Sequence, residues 1–261
     1  MGAIDHPPIL RIPGIQDHVL YTFVVMLILV GVSFAASRRV ALVPRGAQNF
    51  MEVVLEYIIG MIDDVIGPAG RPYLPLIGTL GLFILVSNLL GLVPGLMAPT
   101  GNLMTNAACA LVVFFAYHYI GIKKQGFGHY LKHFMGPVPA LAPLMIPIEV
   151  ISHLARPLSL TLRLFGNMTG GHILLAIIFF LMGLDGLIGW ALTGSVGGIV
   201  LGGIGGLFTM AFTVGFLYPL KILVAFLQAF IFVMLTMLYI AGALEGAEHD
   251  EHHAESHAAH H

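Results

Sequence analysis

The chain has 261 residues, of which 58% are hydrophobic and 9% are charged, and its formal net charge is −2. This composition, with a mean hydropathy of +0.94, excludes an ordinary water-soluble domain, and the lack of a basic surplus argues against a nucleic-acid partner. Several apolar runs reach the roughly 20 residues that a helix needs to cross about 30 Å of hydrocarbon. The composition therefore predicts a helical integral membrane protein with the lipid bilayer as its surroundings.

The first third of the chain predicts an outward N-terminal segment, 1–18, followed by one spanning helix and one surface helix. The spanning helix is predicted at 19–37, and Arg38 and Arg39 mark its exit on the cytoplasmic side. Residues 48–66 mix acidic and apolar side chains near helical spacing, which is typical of an amphipathic helix that lies on the membrane surface.

Two further spanning helices are predicted at 73–93 and 103–122, joined by an uncharged turn rich in proline and glycine. Lys123 and Lys124 follow the second of them, so the chain returns to the cytoplasmic side at this point. Applied to the whole chain, the same rule predicts that the N-terminus faces outward and the C-terminus faces the cytoplasm.

The last two apolar stretches, 143–184 and 195–244, are too long to stand upright in a bilayer. At 1.5 Å per residue they would be about 60 Å and about 75 Å long as helices, against about 30 Å of hydrocarbon. Pro157 and Pro219 supply kinks but no loops. The sequence therefore predicts one all-α membrane domain, 19–244, with five membrane helices and a surface amphipathic helix, in which the last two helices form a strongly tilted hairpin.

Polar residues of the 143–184 helix are spaced three or four apart, so they share one helix face. They are Glu149, Ser152, Arg156, Ser159, Arg163 and Asn167. An arginine at bilayer depth costs at least about 2.5 kcal/mol, and ionisable residues inside a membrane are functional candidates by default. Arg156 lies nearer the cytoplasmic end, where a snorkelling or paired arginine is the alternative to a functional one. Arg163 is flanked by apolar turns and is the first candidate for a functional site.

Arg163 lacks an acidic residue within one turn of its own helix. Lys221 and Gln228 are seven residues apart and share a face of the last helix, which makes Gln228 a candidate neutral partner of the guanidinium group. Cation transport normally needs a carboxylate, and Glu149 is the only one in the predicted spans, so we expect a partner chain to supply the carboxylate that meets Arg163. His172, on the opposite side of its helix, is either a proton relay or a buried hydrogen-bonding side chain.

The run Pro157-Leu-Ser-Leu-Thr-Leu-Arg163-Leu-Phe-Gly-Asn167-Met and the later run Leu227-Gln228-Ala-Phe-Ile-Phe resemble subunit a of F-type ATP synthases. The resemblance extends over most of the chain. It implies a stator protein of the bacterial inner membrane, whose last two helices lie against a rotating ring of c subunits and which also meets the b-subunit stalk. Two half-channels would pass protons to and from the ring carboxylates, coupling ion flow to rotation and ATP synthesis. Whether protons or sodium ions are carried stays open, because the ion is chosen mainly by the ring.

The same resemblance assigns roles to individual residues. Arg163 corresponds to the essential arginine that faces the ring, Asn167 and Gln228 to its polar neighbours, and Glu149 to a residue of the inner half-channel. The remaining pathway candidates are Arg156, Ser159, His172, Lys221 and Asn102. His172 and Lys221 stand where many relatives pair an acid with a histidine, and Asn102 stands where some relatives carry an acid. The resemblance implies no metal, no cofactor and no bond chemistry in this chain alone.

The final segment, 245–261, is rich in histidine and acidic residues and is predicted to be disordered. A solvated cytoplasmic tail and metal capture are the two interpretations of such a tract.

Two other functions are alternatives to that of an ATP synthase subunit. A secondary transporter should contain its own ion site and usually an internal repeat, and an intramembrane hydrolase needs paired aspartates, a Ser and His dyad or metal-ligand spacing; neither pattern is visible.

Overall fold

The computed structural model describes residues 14, 16–38, 41, 43–93, 95–128, 130, 142–182, 189, 192, 196 and 198–258, without the side chains of 172, 175, 179, 181, 182, 199, 201 and 245–258. All the regular elements in these ranges are helical. In chain order they are α1 (Asp17–Ser37), α2 (Ala47–Val65), a 3-10 turn (Pro68–Tyr73), α3 (Leu74–Leu90), a 3-10 turn (Pro99–Gly101), α4 (Leu103–Gln125), α5 (Ala142–Met182), a π-helical turn (Gly198–Gly202), α6 (Gly203–Phe212), a second π-helical turn (Thr213–Leu217) and α7 (Tyr218–Ala258).

The ends of α4 show how local sequence sets these boundaries. Asn102 precedes the helix, and its side-chain Oδ1 accepts a hydrogen bond from the backbone N–H of Met104 at 2.8 Å. Gly126 follows the helix with a φ of +79°, and its N–H donates to the carbonyl of Ile122. A glycine adopts this left-handed conformation without strain, so α4 stops there.

By length and composition, four helical stretches of the described residues are able to cross a membrane. They are Asp17–Ser37, Pro68–Leu90, Leu103–Gln125 and Gly203–Leu244. The helix Ala142–Met182 has 41 residues but is not among the four. The all-helical membrane class is therefore confirmed, whereas the count of five membrane helices and the surface position of α2 stay predictions.

The last predicted helix, 195–244, differs from the structure in two ways. It is interrupted by the π-helical turns Gly198–Gly202 and Thr213–Leu217, each of which rotates the following helix face relative to the preceding one. Its final part, α7, also continues to Ala258, through residues that we predicted to be disordered. Alanine and glutamate are frequent after Leu244 and favour helix, and no proline interrupts them.

The core lies where α3, α4, α5 and α7 meet, because α3 packs on α7, and α4 packs on both α5 and α7. Its fully buried side chains include Ile84, Val113, Leu160, Leu164 and Phe232. Helices approach closely at Gly81, where an added Cβ would lie 2.5 Å from Cγ2 of Val233. A small residue is therefore required where α3 crosses α7, as is common between membrane helices.

Candidate functional site

Arg163 lies on the face of α5 that points away from the rest of the chain. Its side chain is exposed, while Leu160 and Leu164, the residues that flank it on the neighbouring helix face, are buried in the core. Among the residues that the structure describes, none forms a hydrogen bond or an ion pair with this guanidinium group. The only permanent cation in the middle of α5 is thus presented outward, where a second protein chain can reach it.

The polar face of α5 is divided by the packing of the helix. Ser152, Ser159 and Arg163 are exposed along its outer edge. Glu149, Arg156 and Asn167 are half-buried along its inner edge, facing α4 and α7. The polar residues that share one face of α5 therefore form two rows. One row is exposed, and the other faces the interior of the protein.

A cluster of titratable side chains, the inner cluster, lies between the predicted cytoplasmic ends of α4, α5 and α7. Its centre is His153, which is buried, with Nε2 lying 3.3 Å from Oε1 of Glu149 and Nδ1 lying 2.9 Å from the hydroxyl of Tyr117. Arg156 completes it from α5 and stacks its guanidinium over the ring of Tyr239, 5.2 Å from the ring centroid. The inner cluster therefore joins three helices through hydrogen-bonded and stacked polar groups.

Two more side chains border the inner cluster. The ring of His118 lies 5.2 Å from the ring of His153, but its Nδ1 is hydrogen-bonded to the carbonyl of Phe114 in its own helix at 2.8 Å. Tyr130 packs its ring against His118, and burial raises the pKa of the Tyr130 phenol although the nearby Arg156 opposes this shift. His118 therefore lies beside His153, and Tyr130 lies next to His118.

A cavity of about 180 Å³ lies between α3, α5 and α7, on the C-terminal side of Leu164 along α5. Its polar lining comes from Asn88 of α3, Asn167 of α5 and Lys221 of α7. Lys221 reaches across to α5, where a Cβ added to Gly171 would lie 2.9 Å from its Cε atom. The absence of a side chain at Gly171 thus makes room for the lysine stem.

Asn88 connects this cavity to a chain of buried hydrogen bonds, and together they form the outer cluster. Its Nδ2 donates to the carbonyl of Ala225 at 3.3 Å, and its Oδ1 accepts from the hydroxyl of Thr100 at 2.8 Å. The backbone carbonyl of Thr100 in turn accepts from Nδ2 of Asn106 at 2.7 Å. These amides hold α3, α4 and α7 together through groups that also bind water.

Four buried polar atoms in the described part of the chain lack a hydrogen-bonding partner. They are Oγ of Ser87, Oδ1 of Asn106, Nδ2 of Asn167 and Nε2 of Gln228. Buried polar groups are almost always paired with protein or with ordered water. These four atoms lie on α3, α4, α5 and α7, and each could accept a hydrogen bond from a water molecule or donate one to it.

An apolar layer separates the inner cluster from the outer one along α5. Leu160 is 1% exposed and Leu164 is 0% exposed, and both lie between Arg156 on the inner side and Asn167 on the outer side. These leucines offer no polar partner to a water molecule, and the buried hydroxyl of Thr161 between them donates to the carbonyl of Pro157 in its own helix at 2.8 Å. Arg163 lies on the outward face at the level of this layer.

The structure gives some predicted site residues local structural roles. Asn102 caps α4, as described above, and the hydroxyl of Ser159 donates to the carbonyl of Arg156 in its own helix at 3.0 Å. No hydrogen bond joins Gln228 to Arg163 among the described contacts, so the proposed pairing of these two side chains stays a prediction. The side chain of His172 falls outside the described residues. Within the described ranges, no group of three or more His, Cys, Asp and Glu side chains is placed to hold a metal ion.

Sequence reasoning overlooked His153, Tyr117 and Tyr239. The spacing of Glu149 and His153, four residues apart on one helix, would have placed these two side chains together. Tyr117 is 36 residues away from His153 in the sequence, and no local pattern reveals that they meet.

The sequence matches the family of the ATP synthase A chain over residues 19–241. The chain belongs to this family. Its relatives include ATP synthase subunit a 1 of Pelobacter propionicus, which is 50% identical over 233 residues, covering 87% of each chain. ATP synthase subunit a 2 of Syntrophotalea carbinolica is 50% identical over 231 residues, or 88% of this chain and 87% of the relative. ATP synthase subunit a of Geobacter sulfurreducens is 48% identical over 233 residues, again 87% of each chain.

Membership of this family confirms the resemblance that the Arg163 and Gln228 runs indicated. It also agrees with the apolar helices of the fold, which are those of a multi-pass protein of the inner membrane. The two polar clusters and the outward arginine can therefore be considered as parts of an ion pathway.

Proposed function

We infer that this chain forms the proton channel in the membrane sector of a bacterial F-type ATP synthase. The family supports this function, and one observation carries the mechanism: Arg163 is exposed and unpaired among the described residues, at the level of an apolar layer between two polar clusters. A cation in this position needs a carboxylate from outside the chain. A ring of c subunits that carries one carboxylate per subunit past this point meets that need.

The chemistry of arginine suits a side chain that blocks the direct passage of protons and also ionises the carboxylates of the c-ring. A guanidinium group stays protonated, so it cannot hand a proton on. A cation beside a carboxylate favours the ionised form. Arg163 therefore expels the proton from each ring carboxylate that approaches it, and it prevents protons from passing directly between the two sides.

The two clusters are proposed as the two half-channels. The inner cluster, with Glu149 and Arg156 on α5, opens to the cytoplasm, where Lys123 and Lys124 place the end of α4. The outer cluster, with Asn167 and Lys221 beside the cavity, opens to the opposite side. The unpaired amides of Asn167 and Gln228 support a water-filled outer path, since water would satisfy them.

The same proposal assigns faces and orientation. The outward edge of α5, with Ser159 and Arg163, faces the c-ring, and α5 with the α6 to α7 arm lies strongly tilted so that both fit the bilayer. The N-terminus lies outside and the C-terminus lies in the cytoplasm. The b-subunit stalk holds the chain still while the ring turns, because a stator that rotated with the ring would transmit no torque.

Reconstitution of the ATP synthase with and without this chain tests the function directly. Vesicles that contain the remaining ATP synthase subunits without this chain are expected to show no ATP-driven acidification, because no path leads protons to the ring. Adding the purified chain during reconstitution should restore acidification, followed with a pH-sensitive dye, and an uncoupler should collapse it. Acidification of equal rate without the chain would show that another subunit carries the protons.

A further inference from the structure

The imidazole of His153 has a polar partner at each ring nitrogen. One ring nitrogen faces a carboxylate, Oε1 of Glu149 at 3.3 Å, and the other faces the hydroxyl of Tyr117 at 2.9 Å. The planes of the Tyr117 and His153 rings are 20° apart and their centroids are 5.9 Å apart, so the tyrosine also restrains the imidazole orientation. Both nitrogens therefore face polar side chains, and one of these is an ionisable carboxylate.

We propose that His153 is the proton-exchange partner of Glu149, so that the inner half-channel ends in a carboxylate and imidazole pair. This inference rests on the proposed function, and it deepens it by naming the group that transfers protons to and from Glu149. Glu149 is the more solvent-accessible member of the pair, because its side chain is 33% exposed while that of His153 is 10% exposed. Water reaches the carboxylate first, and the imidazole lies behind it.

The transfer step moves one proton and changes no other covalent bond. Protonated His153 holds a hydrogen on each nitrogen, with Nδ1–H donating to the oxygen of Tyr117. The Nε2 proton passes to the ionised carboxylate of Glu149, which leaves a neutral imidazole and a carboxylic acid. Glu149 then releases the proton to cytoplasmic water, and the reverse sequence loads a proton from the cytoplasm.

The groups around the pair make imidazole a suitable carrier here. Among the described residues, the titratable and charged side chains around it include Glu149 and Arg156 from α5, Tyr117 and His118 from α4, Tyr130 from the segment after α4, and Tyr239 from α7. The carboxylate of Glu149 lies 3.3 Å from the imidazole, and Arg156 stacks on Tyr239. An imidazole is the side chain whose ordinary titration lies closest to cytoplasmic pH, at about 6.5. A lone carboxylate holds a proton far less often at that pH.

The test is passive proton conductance of vesicles from which the soluble sector has been removed, driven by a potassium diffusion potential between about pH 5.5 and 8.5. His153→Gln keeps a hydrogen-bonding side chain but cannot carry a proton. We expect proton conductance near pH 6.5 to fall on the order of tenfold. This loss is smaller than the roughly 10² to 10⁴-fold contribution of a general acid or base in catalysis, because water at Glu149 partly replaces the imidazole. The pH-dependent step in that range should also disappear, which a merely structural role would not cause.

A double substitution and a matched histidine sharpen the test. Glu149→Gln with His153→Gln should lower conductance no further than the more damaging single substitution, because the two side chains act as one unit. His18→Gln should leave the profile unchanged, because His18 lies on α1 and outside the inner cluster. If His153→Gln fails to assemble with the ring, Tyr117→Phe, which removes only the hydroxyl that orients the imidazole, should shift the profile in the same direction.

The outcomes separate this inference from the proposed function. An unchanged pH profile in His153→Gln, or multiplicative losses in the double variant, would overturn the pair. Loss of pumping on substitution of Arg163 would still support the proton-channel function in that case. Retained coupled pumping without Arg163 would overturn the arginine mechanism, whatever the His153 variant shows.

Discussion

Replacing Arg163 with alanine is expected to abolish ATP-driven proton pumping while ATP hydrolysis by the soluble sector continues. Without the guanidinium group, a ring carboxylate keeps its proton as it passes the apolar layer, so rotation no longer exchanges protons between the two sides. An opposite charge in contact with a carboxylate changes its protonation by a factor of about 10 to 1000. The initial rate of acidification in reconstituted vesicles should therefore fall by about a hundredfold or to background.

A second arginine supplies the matched control for this substitution. Arg71 is exposed and forms a two-pronged ion pair with Asp63, with nitrogen to oxygen distances of 2.9 Å and 2.8 Å. This hydrogen-bonded pair lowers the pKa of the Asp63 carboxyl, but exposed pairs of this kind contribute little to stability. Arg71→Ala should pump at the wild-type rate, and equal losses in both variants would mean that loss of any arginine disturbs assembly.

Replacing Leu160 with asparagine is expected to produce a proton leak that does not depend on rotation. Leu160 is 1% exposed and lies between the inner and outer clusters. An amide at this position offers water two donors and an acceptor, so it would connect two groups of polar side chains that the leucine keeps apart. A barrier lowered by about 1.4 kcal/mol raises flux about tenfold, which we take as the expected size of the leak.

The leak is measured without nucleotide, when the soluble sector holds the ring still. Leu160→Met keeps the site apolar and of similar volume, so it should remain tight. Because a buried Leu to Asn change also destabilises packing, the amount of assembled complex must be matched between the variants. A tight Leu160→Asn complex at normal abundance would show that the apolar layer is not the barrier.

Much of the fold follows from local sequence. The 20-residue criterion places α1, α3 and α4 within a few residues of their observed ends, and the excessive length of the last two stretches is visible from residue counting alone. The π-helical turns at Gly198 and Thr213 were not foreseen, since a single extra residue in a helical turn leaves almost no mark in an apolar, glycine-rich sequence. The run to Ala258 combines a high charge content, which favours disorder, with alanine and glutamate, which favour helix, so local sequence alone does not decide between the two.

The site divides in the same way. Arg163 could be singled out because an unpaired charge in an apolar run is costly and therefore conspicuous in the sequence. The position of Lys221 against Gly171 and the contact of Tyr117 with His153 depend on which helices pack together, and helical periodicity says nothing about partners. Periodicity also could not reveal that Ser159 and Asn167, which share one face of α5, belong to different rows of that face.

The proposed mechanism depends most on contact between the Arg163 face of α5 and the c-ring. Disulfide formation between Ser159→Cys, one turn before Arg163 in the exposed row, and a cysteine placed beside the ring carboxylate measures this contact, because a disulfide needs Cα atoms within about 7 Å of each other. We predict rapid cross-linking that stops ATP-driven pumping until the bond is reduced, and no cross-link from Leu27→Cys on the exposed face of α1. A cross-link from Leu27→Cys but none from Ser159→Cys would place the ring elsewhere and contradict the proposed mechanism.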